Sequence, residues 1–243
     1  MPGFWKTLKK SLADSYDYLG LVLASSFVWF STALGGFAVV SKIGRLESPL
    51  MPLLGMAALY LLLIAPMTAG VYSLARTIVI RDDPSLLDLL WGARKLFVPS
   101  MTLAFAQLIV TAMIVANAWF YLTHGGILLR MLGVVFLYIL LVWALSATYH
   151  YPLLIEQRPG VLKILKRGLL LAMDNVAFTA GVFFVIILLT CFSGVTLLGL
   201  PLLYMGVLSI LQTRALRALF VKYELLPPER EYVPDEETAV QGK

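Results

Sequence analysis

The chain alternates between long runs without a charged residue and short charged segments. The uncharged runs cover residues 18–41, 48–75, 96–129, 131–155 and 175–213. A helix needs about 20 apolar residues to cross the hydrocarbon core of a bilayer. Each of the first four runs is long enough for one crossing. The last run has a Gly- and Pro-bearing break near 193–201 and is long enough for two, so the pattern predicts six transmembrane helices.

Three of the charged segments have a helical period of apolar residues. Residues 4–17, 84–95 and 159–173 each place Leu or aromatic side chains on one helical face and charged side chains on another. An apolar stripe beside a basic face is typical of a helix that lies in the membrane interface. For the second of these helices, Asp83 is the predicted N-cap and Pro84 the first helical residue. Each of the three helices precedes an odd-numbered span.

The distribution of basic residues predicts the orientation of the spans. Of the 19 Lys and Arg residues, 16 lie in the N-terminal segment, in segments 76–95 and 156–174, and after residue 213; the other three are Lys42, Arg45 and Arg130. Cytoplasmic loops of membrane proteins carry the excess of basic residues. The predicted fold is therefore an all-α, polytopic membrane helix bundle. It has six transmembrane helices, three cytoplasmic amphipathic interfacial helices and both termini in the cytoplasm.

Composition supports the membrane class. The 243 residues are 60% hydrophobic and 14% charged, and the mean hydropathy is +0.88, which excludes an ordinary soluble domain. The net charge of +5 follows from the topology and lies against the anionic inner leaflet. We therefore expect the lipid bilayer as a partner, and no nucleic acid.

The spans and interfacial helices can be grouped into three units, each an interfacial helix followed by a transmembrane hairpin. The units cover roughly 4–80, 81–157 and 159–223 within a transmembrane domain at 1–223. They indicate either an internal threefold repeat or the alternation that any bundle with an even number of helices shows. Residues 224–243 form an acidic, Pro-bearing tail that is predicted to be disordered in the cytoplasm. We expect this tail to serve either in solvation or in binding a partner.

Reactive side chains are sparse in the predicted spans. Every Asp and Glu falls outside the uncharged runs, which disfavours an ion-driven carrier of the carboxylate-dependent type. His124 and His150 fall near opposite membrane surfaces and Cys191 is the only cysteine, so we expect neither a metal site nor a disulfide. Because no nucleophile and base pair or phosphate-binding loop is recognisable, we expect no enzymatic activity and no cofactor.

Two groups of residues remain as candidate sites. Gln107, Asn117 and His150 are polar positions within spans, where they either form hydrogen bonds between helices or line a solute pathway. The second group consists of basic residues on the interfacial helices, which we expect to form a cytoplasmic docking surface: Lys6, Lys10, Arg94, Lys95, Lys163, Lys166 and Arg167.

Several segments, in order along the chain, resemble the YesL-like family of bacterial integral membrane proteins, a domain of unknown function. They include FWKTLKKSLADSYDYLGL from Phe4, PMTAG from Pro66, NAWFY from Asn117, YPLL from Tyr151, LAMDN from Leu171 and TRAL from Thr213. The resemblance covers residues 4 to about 222. The acidic tail departs from the family's pattern.

This resemblance implies a function but no site residues. Members of the family are often encoded beside carbohydrate-binding transporters and polysaccharide-degrading enzymes. We therefore expect a non-enzymatic protein of the inner (cytoplasmic) cell membrane that assists or regulates carbohydrate uptake. Its partner would be a membrane transporter subunit or a second copy of the chain. The alternative is a small-solute permease or a substrate-capturing membrane subunit of a transporter.

Overall fold

The computed structural model describes residues 3–43, 50–124, 126–196 and 199–227. Within these ranges the regular structure is entirely helical, which confirms the predicted all-α class. Arg45 and most of the predicted acidic tail, from residue 228 onward, lie outside the described residues.

The first predicted unit begins with a short amphipathic helix and ends with an interrupted long helix. Its elements are α1 (Phe4–Asp17), α2 (Leu19–Ile43), α3 (Leu50–Leu59), a π-helical turn π1 (Tyr60–Ile64) and α4 (Ala65–Ile80). Pro66 lies in the first turn of α4, where its missing N–H group is tolerated. The irregularity in this long helix is the π-helical turn that precedes Pro66.

The second predicted unit has the same order of elements. Its short helix is α5 (Leu86–Lys95), its first long helix is α6 (Phe97–Thr123), and its second is divided into α7 (Ile127–Ala147) and α8 (His150–Gln157). The break falls at Thr148 and Tyr149. Helix α8 continues through Pro152 because this residue lies in its first turn.

The third predicted unit repeats this order again. It comprises α9 (Val161–Asp174), α10 (Val176–Thr196), a second π-helical turn π2 (Leu200–Tyr204) and α11 (Met205–Lys222). In all three units the second long helix is thus interrupted, by a π-helical turn or by a break.

Five of the described helices are long and apolar enough to cross a membrane. They span Leu19–Lys42, Pro52–Ile80, Phe97–Thr123, Ile127–Gln157 and Val176–Thr196. The predicted sixth span, π2 with α11, is less apolar and is the most buried of the long helices. It contacts α1, α2, α4, α8 and α10. Because its neighbours are protein, its side chains can be polar.

Consecutive long helices run in opposite directions. The indole Nε1 of Trp29 in α2 donates to Thr68 Oγ1 in α4 at 2.9 Å. In the other hairpins, Leu122 of α6 lies against Gly133 of α7, and Thr190 of α10 lies against Tyr204 of π2. This alternation places α1, α5 and α9 at one end of the bundle, which we call the basic end.

A single residue joins each amphipathic helix to the long helix that follows it. These junction residues are Tyr18, Leu96 and Asn175, with φ from −132 to −105° and ψ from 15 to 47°. The positive ψ values interrupt the helix and turn the chain. The three units therefore share the local geometry of this junction as well as the order of their elements.

The amphipathic helices also pack in a common way. Helix α5 packs on α4, and α9 packs on α7 and α8, so each contacts the interrupted helix of the preceding unit. Helix α1 packs on α11 and thereby closes a ring of three units. Most of the buried apolar core lies toward the basic end, in two clusters that share α11.

The predicted cap of α5 was wrong. Asp83 has a left-handed backbone conformation with φ of 37°, and the helix begins after Ser85. The Asp88 carboxylate accepts a hydrogen bond from the Ser85 backbone N–H at 2.9 Å. The cap is therefore the reciprocal pair of Ser85 and Asp88, and Pro84 lies before the first residue of the helix.

The close contact between α4 and α5 gives a test of the fold. A Cβ atom added at Gly70 would lie 2.5 Å from the Leu89 carbonyl oxygen. We expect Gly70→Ala to lower the free energy of unfolding by about 2 kcal/mol, since overpacking of a close backbone contact costs about 1–3 kcal/mol. Gly20→Ala is the control, because nothing lies within 4 Å of its added Cβ. Denaturant titration in micelles would show equal stability of the two variants if this packing were absent.

Candidate functional site

The interrupted helices meet in a polar layer on the axis of the bundle. Tyr72 of α4 stacks on Tyr151 of α8, with ring centroids 5.4 Å apart. Its hydroxyl donates to Oε1 of Gln212 in α11. All three residues lie in the interior of the bundle, and Tyr72 is only 3% exposed. We call Tyr72, Tyr151 and Gln212 the axial layer.

An ion-paired triad lies next to the axial layer, toward the basic end. Glu156 Oε2 is 2.6 Å from Arg76 Nε, and Glu156 Oε1 is 2.9 Å from Arg217 Nη1. The pairing depends on the continuation of α8 past Pro152, because this continuation places Glu156 beside α4 and α11. Each carboxylate oxygen thus receives a charge-assisted hydrogen bond, and such bonds are roughly twice as strong as neutral ones. The triad ties together the same three helices as the axial layer.

A second ion pair holds α1 against α11. Asp14 Oδ2 lies 2.5 Å from Arg214 Nε, and the two side chains are only 2% and 7% exposed. The buried face of α1 is otherwise made of Thr7, Ser11 and Ser15. Helix α1 therefore docks by a largely polar face to which Phe4 and Leu8 add apolar contacts, and it presents other apolar residues outward, including Trp5, which is 70% exposed.

The structure places the predicted polar residue Gln107 against His150. Gln107 Nε2 is 2.8 Å from His150 Nδ1, and the ring is fully buried. The other ring nitrogen, Nε2, lies 3.4 Å from Ser146 Oγ. Gly168 of α9 packs directly on this imidazole. Of the two readings for Gln107 and His150, the geometry shows the hydrogen bond between helices.

Asn117 is not part of this arrangement. Its Nδ2 donates to the Met113 carbonyl oxygen at 2.8 Å, within the same helix. Ten residues separate Asn117 from Gln107, which corresponds to roughly 15 Å along an α-helix. The structure therefore does not bring the two side chains into one lining.

The predicted docking residues lie on the outer surface of the basic end. Lys6, Arg94, Lys95, Lys163, Lys166 and Arg167 are exposed, and Lys10 is half-buried. Arg167 also donates to Gln157 Oε1. Large apolar side chains are exposed on the same three helices, among them Leu87, Trp91 and Leu162. We call this surface of α1, α5 and α9 the basic face.

Sequence reasoning missed the residues that tie the helices together. Asp14, Glu156, Arg214 and Arg217 were all assigned to segments outside the spans, and Tyr72 and Gln212 were not paired. The available signal was the uninterrupted helical pattern from Met205 to Lys222, which carries Arg214 and Arg217 toward neighbouring helices. Within the described part of the chain, His, Cys, Asp and Glu form no group of three or more that could hold a metal ion.

Comparisons with protein-family models, with curated proteins and with solved structures found no match to this chain. The resemblance to the YesL-like family and the function that it implies therefore stay predictions.

The two aspartates of α1 that pair with arginine give a matched test of burial. We expect Asp14→Asn to lower the free energy of unfolding by about 3 kcal/mol, since breaking a buried ion pair costs about 3–5 kcal/mol. Asp17→Asn should change it by less than about 1 kcal/mol, because Asp17 and its partner Arg81 are more than half exposed and 3.8 Å apart. Chemical denaturation in micelles measures both, and equal effects would contradict the buried docking of α1.

Proposed function

We propose that this chain is a six-span protein of the bacterial inner membrane with both termini in the cytoplasm. In this proposal it is a non-enzymatic factor that assists or regulates carbohydrate uptake. Its basic face docks a transporter subunit at the inner surface of the membrane. The link to carbohydrate rests on the resemblance to the YesL-like family, and the docking role rests on the basic face.

The sixth span is supported by the position of π2 and α11. This helix runs antiparallel to α10 and lies beside α2 and α4, which belong to two of the helices that are long and apolar enough to cross a membrane, Leu19–Lys42 and Pro52–Ile80. Its basic residues Arg214 and Arg217 pair with Asp14 and Glu156, which reduces the cost of placing them near the bilayer. The excess of Lys and Arg at the basic end supports a cytoplasmic position for that end.

The observation that carries the docking role is the way in which the amphipathic helices pack. Each one contacts the bundle closely at small or polar residues, such as Ser11, Gly92 and Gly168, and buries only part of its apolar residues there, such as Leu89 and Ile164. Other large apolar side chains and most of the basic ones remain on the outside. This arrangement is suited to binding the inner leaflet together with a partner protein, because it combines apolar area with positive charge.

The other functions expected from the sequence receive less support. A permease lined by Gln107 and Asn117 is not favoured, because Gln107 is bonded to His150 and Asn117 to its own helix. A second copy of the chain remains an alternative occupant of the basic face.

Labelling of introduced cysteines tests the topology. In a Cys191→Ser background, we expect Gly126→Cys to react with a membrane-impermeant maleimide in intact cells. Lys95→Cys and Lys166→Cys should react only after the membrane is permeabilised, because the basic end faces the cytoplasm. Labelling of Lys95→Cys in intact cells would overturn the proposed orientation.

Purification from native membranes in mild detergent tests docking. We expect a transporter subunit to co-purify, identified by mass spectrometry, and to be lost from the Lys163→Glu, Lys166→Glu, Arg167→Glu triple variant. Charge reversal removes the electrostatic attraction that the exposed residues provide. Arg130→Glu is the control, because Arg130 is equally exposed but lies at the opposite end. If no transporter component is recovered, or if the triple variant recovers it unchanged, the docking role is wrong.

A further inference from the structure

The ion-paired triad carries one positive charge that its own carboxylate does not neutralise. Arg76 and Arg217 both pair with Glu156, and neither forms a second ion pair with a described residue. Arginine stays protonated in proteins, so this excess charge persists at any pH at which the protein is folded. The Arg217 side chain is 18% exposed and that of Glu156 is 11% exposed. A charge in such a place is costly unless it is paired.

Two polar atoms beside the triad are buried and have no hydrogen-bond partner in the part of the chain that the structure describes. They are Nε of Arg217 and Oγ1 of Thr213. Residues four positions apart lie on one face of a helix, with Cβ atoms about 5–6 Å apart, so both atoms belong to one patch of α11. Buried polar groups in proteins are almost always bonded, and a group that is not bonded indicates a bound water or ion.

Arg76 connects this patch to the surface of the basic end. It lies four residues before Ile80, the last residue of α4, and its side chain is 41% exposed. Atoms of the Arg76 and Arg217 guanidinium groups lie 2.6 and 2.9 Å from the Glu156 carboxylate, so the two groups are neighbours. Arg76 binds Glu156 through Nε, and its terminal amino groups form no hydrogen bond with a described residue. A ligand can therefore reach Arg76 from the basic end.

The excess charge selects the class of ligand. A water molecule can accept hydrogen bonds from Arg217 and Thr213, but it leaves the charge unpaired, whereas an anion answers both needs. The planar guanidinium group matches the oxygens of a phosphate, which has enough of them to accept from several donors at once. Basic pockets between transmembrane helices on the cytoplasmic side bind the headgroups of anionic phospholipids. A phosphate group, in a lipid headgroup or in free phosphate, fits this chemistry.

We infer that Arg76, Arg217 and Thr213 bind a phosphate group, and we call these three residues the arginine site. Glu156 acts as a positioning residue, because its carboxylate holds the two guanidinium groups side by side. The arginine site goes beyond the proposed docking role and does not depend on it, since its residues lie on α4 and α11 and not on the basic face.

Binding of defined phosphate compounds to the purified full-length protein in a non-ionic detergent tests the arginine site. The probes are inorganic phosphate and dioctanoyl phosphatidylglycerol, and dioctanoylglycerol is the matched lipid without a phosphate group. Isothermal titration and thermal-shift assays measure the affinities. We expect saturable binding of a phosphate-bearing probe and none of dioctanoylglycerol. Tighter binding of the phospholipid than of inorganic phosphate identifies a lipid headgroup as the ligand, and equal or weaker binding identifies free phosphate.

Three variants assign the binding to the site. Arg76→Gln should weaken the affinity at least about tenfold, because it leaves a neutral pair of Glu156 and Arg217. Thr213→Val should weaken it about tenfold without lowering the melting temperature of the protein alone, since the hydroxyl has no partner among the described residues. Arg130→Gln is the control, because it removes the same charge from an exposed residue at the opposite end, and its affinity should be unchanged.

Three results would overturn the site. The first is the absence of saturable binding of both phosphate probes by protein that elutes as a single folded species. The second is binding of dioctanoylglycerol as tight as that of the phospholipid. The third is an unchanged affinity in the Arg76→Gln, Thr213→Val double variant with a cooperative melting transition, which would assign the unpaired donors to water. The Lys163→Glu, Lys166→Glu, Arg167→Glu variant should bind inorganic phosphate normally, so a failure of docking and a failure of this site can be told apart.

Discussion

The bundle depends on buried charge that is neutralised by residues from distant parts of the chain. Glu156 forms ion pairs with Arg76 and Arg217, and Asp14 forms an almost fully buried ion pair with Arg214. An isolated charge in such a place costs several kcal/mol, so these groups are tolerated only when α1, α4, α8 and α11 are all in position. The central position of α11 follows from the same requirement. It is the least apolar of the long helices, and the surrounding protein supplies the carboxylates that pair with its arginines.

Much of this fold can be predicted from the sequence because its signals are local. Uncharged runs and apolar stripes locate the long and short helices, and the end at which Lys and Arg accumulate is the end at which α1, α5 and α9 lie. The pairing of charges is not local. Asp14 and Arg214 are 200 residues apart, and a single sequence contains nothing that joins them. The same holds for Tyr72 and Gln212, whose contact depends on two helices being parallel neighbours.

The candidate sites also differ in whether local sequence signals reveal them. The basic face is readable in the sequence, because exposure of Lys166 or Arg94 follows from the period of one helix. The axial layer is not, because Tyr72, Tyr151 and Gln212 come from three different units and meet only when the bundle is assembled. Gln107 shows the reverse case. In the sequence it stands out as a polar residue inside a predicted span. In the structure its side chain is hydrogen-bonded to His150, and this bond holds α6 against α8.

The ring formed by the amphipathic helices has a consequence for synthesis. Helix α5 can pack on α4, and α9 on α7 and α8, as soon as each is synthesised, since these partners are neighbours in the chain. Helix α1 has no such neighbour, because Asp14 emerges from the ribosome long before Arg214. Its polar face finds its partner only when the last long helix has packed beside α2 and α4. The assembly of the bundle is therefore completed by its first helix.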